Sequence, residues 1–148
     1  MSLKRVGFYA ELEERRPDVF QGSIFDAISR DRSPNEANLV AYLDSGHDLI
    51  DIMEGTEDVV AGKGSSVSGG SSLMTDGVWV WRLDLPFFVK KYHLELDPEF
   101  VWHAASNRYV VPDIPRQELR RLTSGAAWEI YGMRRMYFES GEARFVEE

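Results

Sequence analysis

The chain of 148 residues contains no cysteine. This absence excludes a disulfide framework, a zinc site with cysteine ligands and a catalytic thiol. Histidine is also scarce, with three residues, so few side chains can titrate near neutral pH.

Long apolar runs are missing as well. A helix that spans a bilayer needs about 20 consecutive apolar residues, and the stretches here are a few residues long. The N-terminal segment carries Lys4 and Arg5 but lacks the apolar run of a signal peptide. We therefore expect no membrane association and a cytoplasmic location.

The chain has fewer basic than acidic residues. The 17 Lys and Arg residues face 25 Asp and Glu residues, which gives a net charge of −8. Nucleic-acid binding depends on cations that neutralise phosphates, so this class of partner is not expected. The acidity suits a basic partner, and it also serves solubility alone.

The residues that are present are typical of a globular protein. Hydrophobic residues make up 43% and aromatic residues 12%, and the length fits one domain over residues 1–148. Residues 61–72 are rich in Gly and Ser, which predicts a flexible loop inside that domain. We find no internal repeat.

The segment Thr75–Tyr92 carries the clearest pattern. Asp76-Gly77 predicts a turn, and the apolar residues of 78–83 lie on both faces of the strand that follows. A strand that is apolar on both faces is expected in the middle of a sheet. Asp84 then fits a helix N-cap with Pro86 in the first turn, and Asp97-Pro98-Glu99 predicts a second helix start.

The remaining patterns predict shorter elements. Alternation in residues 5–13 indicates a half-buried strand, and Ser33–Glu36 fits a capping box of a helix that Gly46 ends in a left-handed conformation. We further predict a helical turn in 23–29, a strand at 48–53, an extended segment at 110–115, a short helix at 115–122 and a hairpin around 140–141; helix and strand both fit 126–138. The predicted fold class is α+β, with a small, mostly antiparallel sheet and a few helices packed on it.

Two near-matches to catalytic loops lie in the Gly/Ser segment. A phosphate-binding loop needs Gly, four residues, and then Gly-Lys-Ser/Thr, but Gly70 and Ser71 follow Gly69 here. A nucleophile elbow needs Gly-x-Ser-x-Gly, which Ser66–Gly70 misses by one residue. A flexible linker explains both.

The histidines offer a possible metal site. His93, Glu95 and His103 could meet if two helices folded back on one another, and this would suit a small metal-dependent hydrolase. No local spacing fixes that geometry, and histidines at helix ends commonly bond to carbonyls or face water. The letters of a hydrolase triad in 44–48 are sequence neighbours, so they are no indication of one.

Six residues are candidates for contact with a partner. Trp and Arg are the usual anchors of protein interfaces, although periodicity also places tryptophans in the core and arginines on solvated helix faces. The candidates are Trp81, Arg82, Trp102, His103, Arg116 and Arg120.

The run Leu73-Met74-Thr75-Asp76-Gly77-Val78-Trp79-Val80-Trp81, followed by Asp84-Leu85, Phe88-Val89, Tyr92-His93 and Leu96–Phe100, resembles a pattern of small uncharacterised bacterial proteins, chiefly actinobacterial. The resemblance covers about a third of the chain, and Pro86-Phe87 departs from it where the pattern favours Ala-Tyr. Some of those proteins are similar to immunity proteins of bacterial toxin systems. The resemblance supplies no catalytic residue.

Two hypotheses follow. The favoured one is a non-enzymatic protein-binding module, with an immunity-type inhibitor of a toxin as its specific form. The alternative is a metal-dependent hydrolase that uses His93, His103 and nearby carboxylates. No cofactor signature is found, and the oligomeric state is left open.

Overall fold

A four-stranded mixed sheet with helices on both faces organises the protein. The computed structural model describes residues 2–64, 66–133, 135–139 and 142–146. The α-helices of the described residues are α1 Ile24–Ala27, α2 Glu36–Asp44, α3 Leu85–Tyr92, α4 Pro98–Ser106 and α5 Arg116–Tyr131. The strands are β1 Lys4–Arg5, β2 His47–Ile50, β3 Gly55–Glu57, β4 Ser66–Ser68, β5 Leu73–Thr75, β6 Trp79–Arg82, β7 Arg135–Glu139 and β8 Glu142–Val146.

The order of the four-stranded sheet is β1-β6-β5-β2. Strand β6 pairs in parallel with β1 and antiparallel with β5, and β5 pairs antiparallel with β2. Two antiparallel ribbons, β3–β4 and β7–β8, complete the described strands. The predicted α+β class, with a mostly antiparallel sheet, is confirmed.

Strand β6 is interior, as its two apolar faces predict. Trp79 and Trp81 belong to a core cluster with residues of α2, α3 and α4. Val80 belongs to a second cluster with residues of α5. Because both faces of the strand are covered by helices, all four of its residues are buried.

The two predicted helix starts after β6 are confirmed. In α4 the Asp97 side chain accepts a hydrogen bond of 2.9 Å from the Glu99 N–H, and Pro98 opens the helix. In α3 Asp84 is the N-cap residue, but its side chain makes no capping bond. That carboxylate is occupied by Arg82 instead, at 2.8 Å from Nη2.

The predicted N-terminal strand is shorter than the alternation suggested. Only Lys4–Arg5 is a strand, and Ala10–Leu12 forms a 3₁₀-helix. Gly7 has φ +79°, so the chain turns there, and a Cβ atom at this position would lie 2.6 Å from the Leu85 side chain. The inward residues Val6 and Phe8 are nevertheless buried.

The predicted capping of α2 is wrong at both ends. Asn35 rather than Ser33 is the N-cap, and its side-chain oxygen accepts from the Ser33 hydroxyl at 2.6 Å instead of capping the helix. The Glu36 carboxylate pairs with His93 rather than with the cap. At the other end Ser45 is the C-cap, and Gly46 has no left-handed φ. Gly46 is needed for space, because a Cβ there would lie 2.7 Å from the Trp81 ring.

The structure resolves several further predictions. The turn in 23–29 is α1, with the Ser23 hydroxyl accepting from the Phe25 N–H. The strand predicted at 48–53 is β2, which begins one residue earlier and ends at Ile50. Residues 110–115 have neither helix nor strand, and the short helix of 115–122 continues as α5 to residue 131.

The C-terminal segment and the Gly/Ser segment also take definite form. The ambiguous 126–138 is helix up to residue 131 and strand β7 from residue 135, and β7 pairs antiparallel with β8. The turn predicted at 140–141 lies outside the described residues. In the Gly/Ser segment, residues 66–68 form β4, and Ser71 and Ser72 are buried. The flexibility of the segment stays a prediction.

We predict that Gly46→Ala destabilises the protein by about 1–3 kcal/mol, because the new methyl group overpacks the core against Trp81 and Met74. Urea denaturation of the purified variant measures this change.

The matched control is Gly125→Ala, inside α5, where a Cβ meets nothing within 4 Å. Alanine there should raise stability by about 0.5–1 kcal/mol through helix propensity. Equal effects of the two substitutions would contradict the assigned role of Gly46.

Candidate functional site

The Asp76 carboxylate joins the turn before β6 to two helices. Its Oδ1 accepts hydrogen bonds from the backbone N–H groups of Val78 and Trp79, at 2.9 and 2.7 Å. Its Oδ2 accepts a bond of 2.6 Å from the Tyr42 hydroxyl and lies 3.1 Å from His103 Nε2. Asp76 is therefore a buried charge whose two oxygens are both satisfied, as burial requires.

The turn itself explains the Thr-Asp-Gly sequence. The Thr75 hydroxyl donates to the Trp79 carbonyl at 2.7 Å and accepts from the Gly77 N–H at 2.9 Å. Gly77 has φ +99°, a conformation that other residues adopt only under strain. The three residues thus form one hydrogen-bonded turn between β5 and β6.

Tyr42 extends the network between α2 and α4. Its hydroxyl donates to Asp76 and accepts a hydrogen bond of 3.1 Å from Asn107 Nδ2, just after the end of α4. Burial, together with the hydrogen bond to the Asp76 carboxylate, raises the pKa of Tyr42. The tyrosine therefore stays neutral and is a permanent donor to Asp76.

An open groove lies beside this network. It has a volume of about 710 Å³ and runs between the start of α2, the α3–α4 connection and α4. We call it the α2–α4 groove; its apolar walls come from Leu39, Leu94, Leu96, Val101, Trp102, Ala105 and Tyr109. The Trp102 side chain has little cover, with 71% of the residue exposed.

Two residues of the groove have strained backbone conformations. His93 has φ +54° and Tyr109 has φ +57°, and the neighbouring Arg108 has φ +55°. Residues other than glycine avoid this region, and such strain is concentrated at functional sites. His93 also ends α3, so the strain fixes the direction in which the chain leaves towards α4.

The charges of the groove are partly matched. Glu36 is buried, and its carboxylate lies 2.7 Å from His93 Nδ1 and 3.7 Å from Arg32 Nε. Asp31 and Glu95 are exposed on the rim, and neither forms an ion pair within the described part of the chain. The rim therefore presents two carboxylates that a cation can reach.

Trp81 and Arg82 are buried, which corrects the prediction that they contact a partner. Trp81 is fully buried and its Nε1 donates to the Leu43 carbonyl at 3.2 Å. Arg82 has a side chain that is 4% exposed, and it forms a bidentate pair with Asp84. Burial raises the pKa of Asp84, and the charge of Arg82 opposes that rise.

The other four predicted contact residues divide into two places. Trp102 lies in the α2–α4 groove, and His103, the next residue of α4, points to Asp76. Arg116 and Arg120 are exposed on α5, which covers the opposite face of the sheet. These four residues therefore do not lie on one surface.

The alternative metal site of His93, Glu95 and His103 does not form in the described residues. His93 pairs with Glu36 and His103 pairs with Asp76, so the two histidines serve different carboxylates. No group of three or more potential ligands is found among the residues that the structure describes. Sequence reasoning missed Tyr42 and Glu36, since their partners lie 34 and 57 residues away along the chain.

Comparison with protein-family models, with curated proteins and with solved structures found no match. Among the helices of the described residues, none has the length and apolar character needed to cross a membrane. We therefore infer function from the geometry of the site.

We predict that Tyr42→Phe destabilises the protein by about 1.5–3 kcal/mol, because the buried Asp76 carboxylate loses a donor. Urea denaturation measures the loss. Tyr9→Phe is the control, since the Tyr9 hydroxyl has no hydrogen-bond partner among the described residues, and its stability should change little. A Tyr42 variant as stable as the Tyr9 variant would show that the network does not hold the helices.

Proposed function

We propose that this chain is a non-catalytic protein-binding module, and that its α2–α4 groove docks a positively charged segment of a partner protein around Trp102. The observation that carries the proposal is an exposed tryptophan beside an apolar groove whose rim bears unpaired carboxylates. Three properties of the groove support it: its apolar surface, its rim charges and its backbone conformation.

The apolar property is the exposure of Trp102. Tryptophan is among the residues that dominate binding energy when a partner covers them. The groove beside it is lined by Leu39, Val101 and Tyr109, so a partner's apolar side chain entering there would be surrounded by carbon atoms. Burial of such surface is the main favourable contribution to most protein association.

The rim charges determine which sign of charge the partner's surface needs. Arg32 and His93 are engaged with Glu36, which leaves Asp31 and Glu95 as the unmatched charges of the rim. The net charge of −8 adds a long-range field of the same sign. Together they favour the approach of a basic surface and raise its association rate.

The backbone supports a preformed site. His93 and Tyr109 are held in strained conformations on the groove walls, and α4 is tied to α2 through Asp76. A groove that is rigid before binding loses less conformational entropy when the partner docks. This favours a tight, stoichiometric complex over a transient one.

The finer proposal is an immunity-type inhibitor that binds and neutralises a bacterial toxin. Its support is the resemblance carried by Thr75–Trp81, together with the acidity of the chain. In this form the partner is a toxin with a basic surface, and the complex has one copy of each protein.

We predict that Trp102→Ala weakens partner binding by at least about 30-fold, the loss typical of a central interface residue. The immobilised wild-type chain captures proteins from native lysate of the source cells, mass spectrometry identifies them, and calorimetry with the purified partner measures each variant.

Trp128→Ala is the matched control, because Trp128 is a half-exposed tryptophan on α5. It should bind as the wild type does. The double variant Asp31→Asn with Glu95→Gln should slow association and reduce its salt dependence. A partner that binds the Trp102 variant as tightly as the wild type, or no specific partner at all, would refute the proposed docking site.

A further inference from the structure

A second cavity lies on the opposite side of β6 from Trp102, near the end of that strand. Its volume is about 370 Å³, and it is bounded by the N-terminal loop, the β2–β3 connection and the end of α5. This volume falls within the range of small-molecule sites. Leu12, Ile52 and Met133 give it an apolar wall.

Most charges around the cavity are already matched in pairs. Arg82 uses Nε and Nη2 on the Asp84 carboxylate, while its Nη1 has one long bond of 3.5 Å to the Leu12 carbonyl. Arg15 binds Glu13 through two nitrogens, at 2.9 and 3.0 Å, and this interaction lowers the pKa of Glu13. Arg82 therefore has an N–H group that can still donate a hydrogen bond. The Arg82–Asp84 and Arg15–Glu13 pairs each have no net charge.

Arg16 and Glu54, which carry opposite charges, have hydrogen-bonding atoms that no described residue uses. Within the described part of the chain, the buried side-chain atoms that lack a hydrogen-bond partner are Arg16 Nε and Ser71 Oγ, and both residues line this cavity. Arg16 Nη2 donates to the Glu129 carbonyl at 3.2 Å, and the ion pair of Arg16 with Asp18 is long, at 3.7 Å. Glu54 also lines the cavity, and its carboxylate forms no hydrogen bond or ion pair with any described residue, although its backbone carbonyl accepts a bond of 2.9 Å from the Gly69 N–H.

We propose that this cavity binds a free α-amino acid with an apolar side chain. The ligand's carboxylate accepts hydrogen bonds from Arg16 and from the free N–H of Arg82. Its ammonium group pairs with Glu54, and its side chain packs on Leu12, Ile52 and Met133. Charge-assisted bonds at both ends satisfy groups that an apolar ligand would leave unpaired.

The charges disfavour the other simple ligand classes. A phosphate would be repelled by the unpaired Glu54 carboxylate and would leave that carboxylate without a cation. A monocarboxylate would leave Glu54 unmatched, and a simple amine would leave Arg16 unmatched. Of these ligands, only the zwitterion has a charge opposite to Arg16 and another opposite to Glu54.

The test is calorimetry of the intact chain with L-leucine and with its two halves, 4-methylpentanoate and 3-methylbutylamine. Leucine should bind, and each half should bind at least about 10-fold more weakly, since each lacks one charged contact. No heat from leucine, or equal affinities for leucine and a half-molecule, would overturn the proposal.

Two variants assign the contacts. Glu54→Gln should weaken leucine binding about 10-fold and leave 4-methylpentanoate unchanged, and it should fold normally, because the Glu54 residue is exposed and its side chain makes no hydrogen bond to any described residue. Arg16→Gln should weaken leucine and 4-methylpentanoate but not 3-methylbutylamine. Glu14→Gln, an exposed site outside the cavity, is the control. Leucine affinity unchanged in Glu54→Gln would refute the ammonium site, whatever the α2–α4 groove binds.

Discussion

The buried Asp76 carboxylate is the constraint on which the candidate groove depends. A carboxylate out of water is stable only when its oxygens are satisfied, and here the groups that contact it come from three places in the chain. Two backbone N–H groups of the turn into β6 and the Tyr42 hydroxyl of α2 donate hydrogen bonds to it, and His103 Nε2 of α4 lies 3.1 Å from its Oδ2. The fold therefore cannot satisfy Asp76 without placing α2 and α4 side by side.

The groove follows from that placement. His103 points inward to Asp76, so its neighbour Trp102 lies on the outer side of α4, where it is left largely exposed. The chain reaches α4 through the strained His93, whose ring is held by the buried Glu36. Strain of this kind costs about 1–3 kcal/mol per residue and persists because surrounding contacts determine it. The same contacts that stabilise the core thus shape the binding surface.

The parts of the fold that could be predicted from sequence are those with local causes. The Asp76-Gly77 turn, the two-faced strand and the helix starts at Asp84 and Asp97 depend on neighbouring residues. Elsewhere, contacts between residues far apart in the sequence override the predictions made from neighbouring residues. Glu36 had the spacing of a capping box but pairs with His93, and Gly46 makes room for Trp81. The groove could not be predicted, since its walls come from segments far apart in sequence.

Amide hydrogen exchange of the Asp76→Asn variant tests whether Asp76 holds α2 and α4 together. The asparagine oxygen can still accept the two backbone bonds of the turn, so the substitution acts on the ties to Tyr42 and His103. The account predicts faster exchange in α2 and α4 together, with the rates of α5 unchanged. Unchanged rates in α4, or an equal acceleration in every helix, would contradict the claim that Asp76 holds the groove in place.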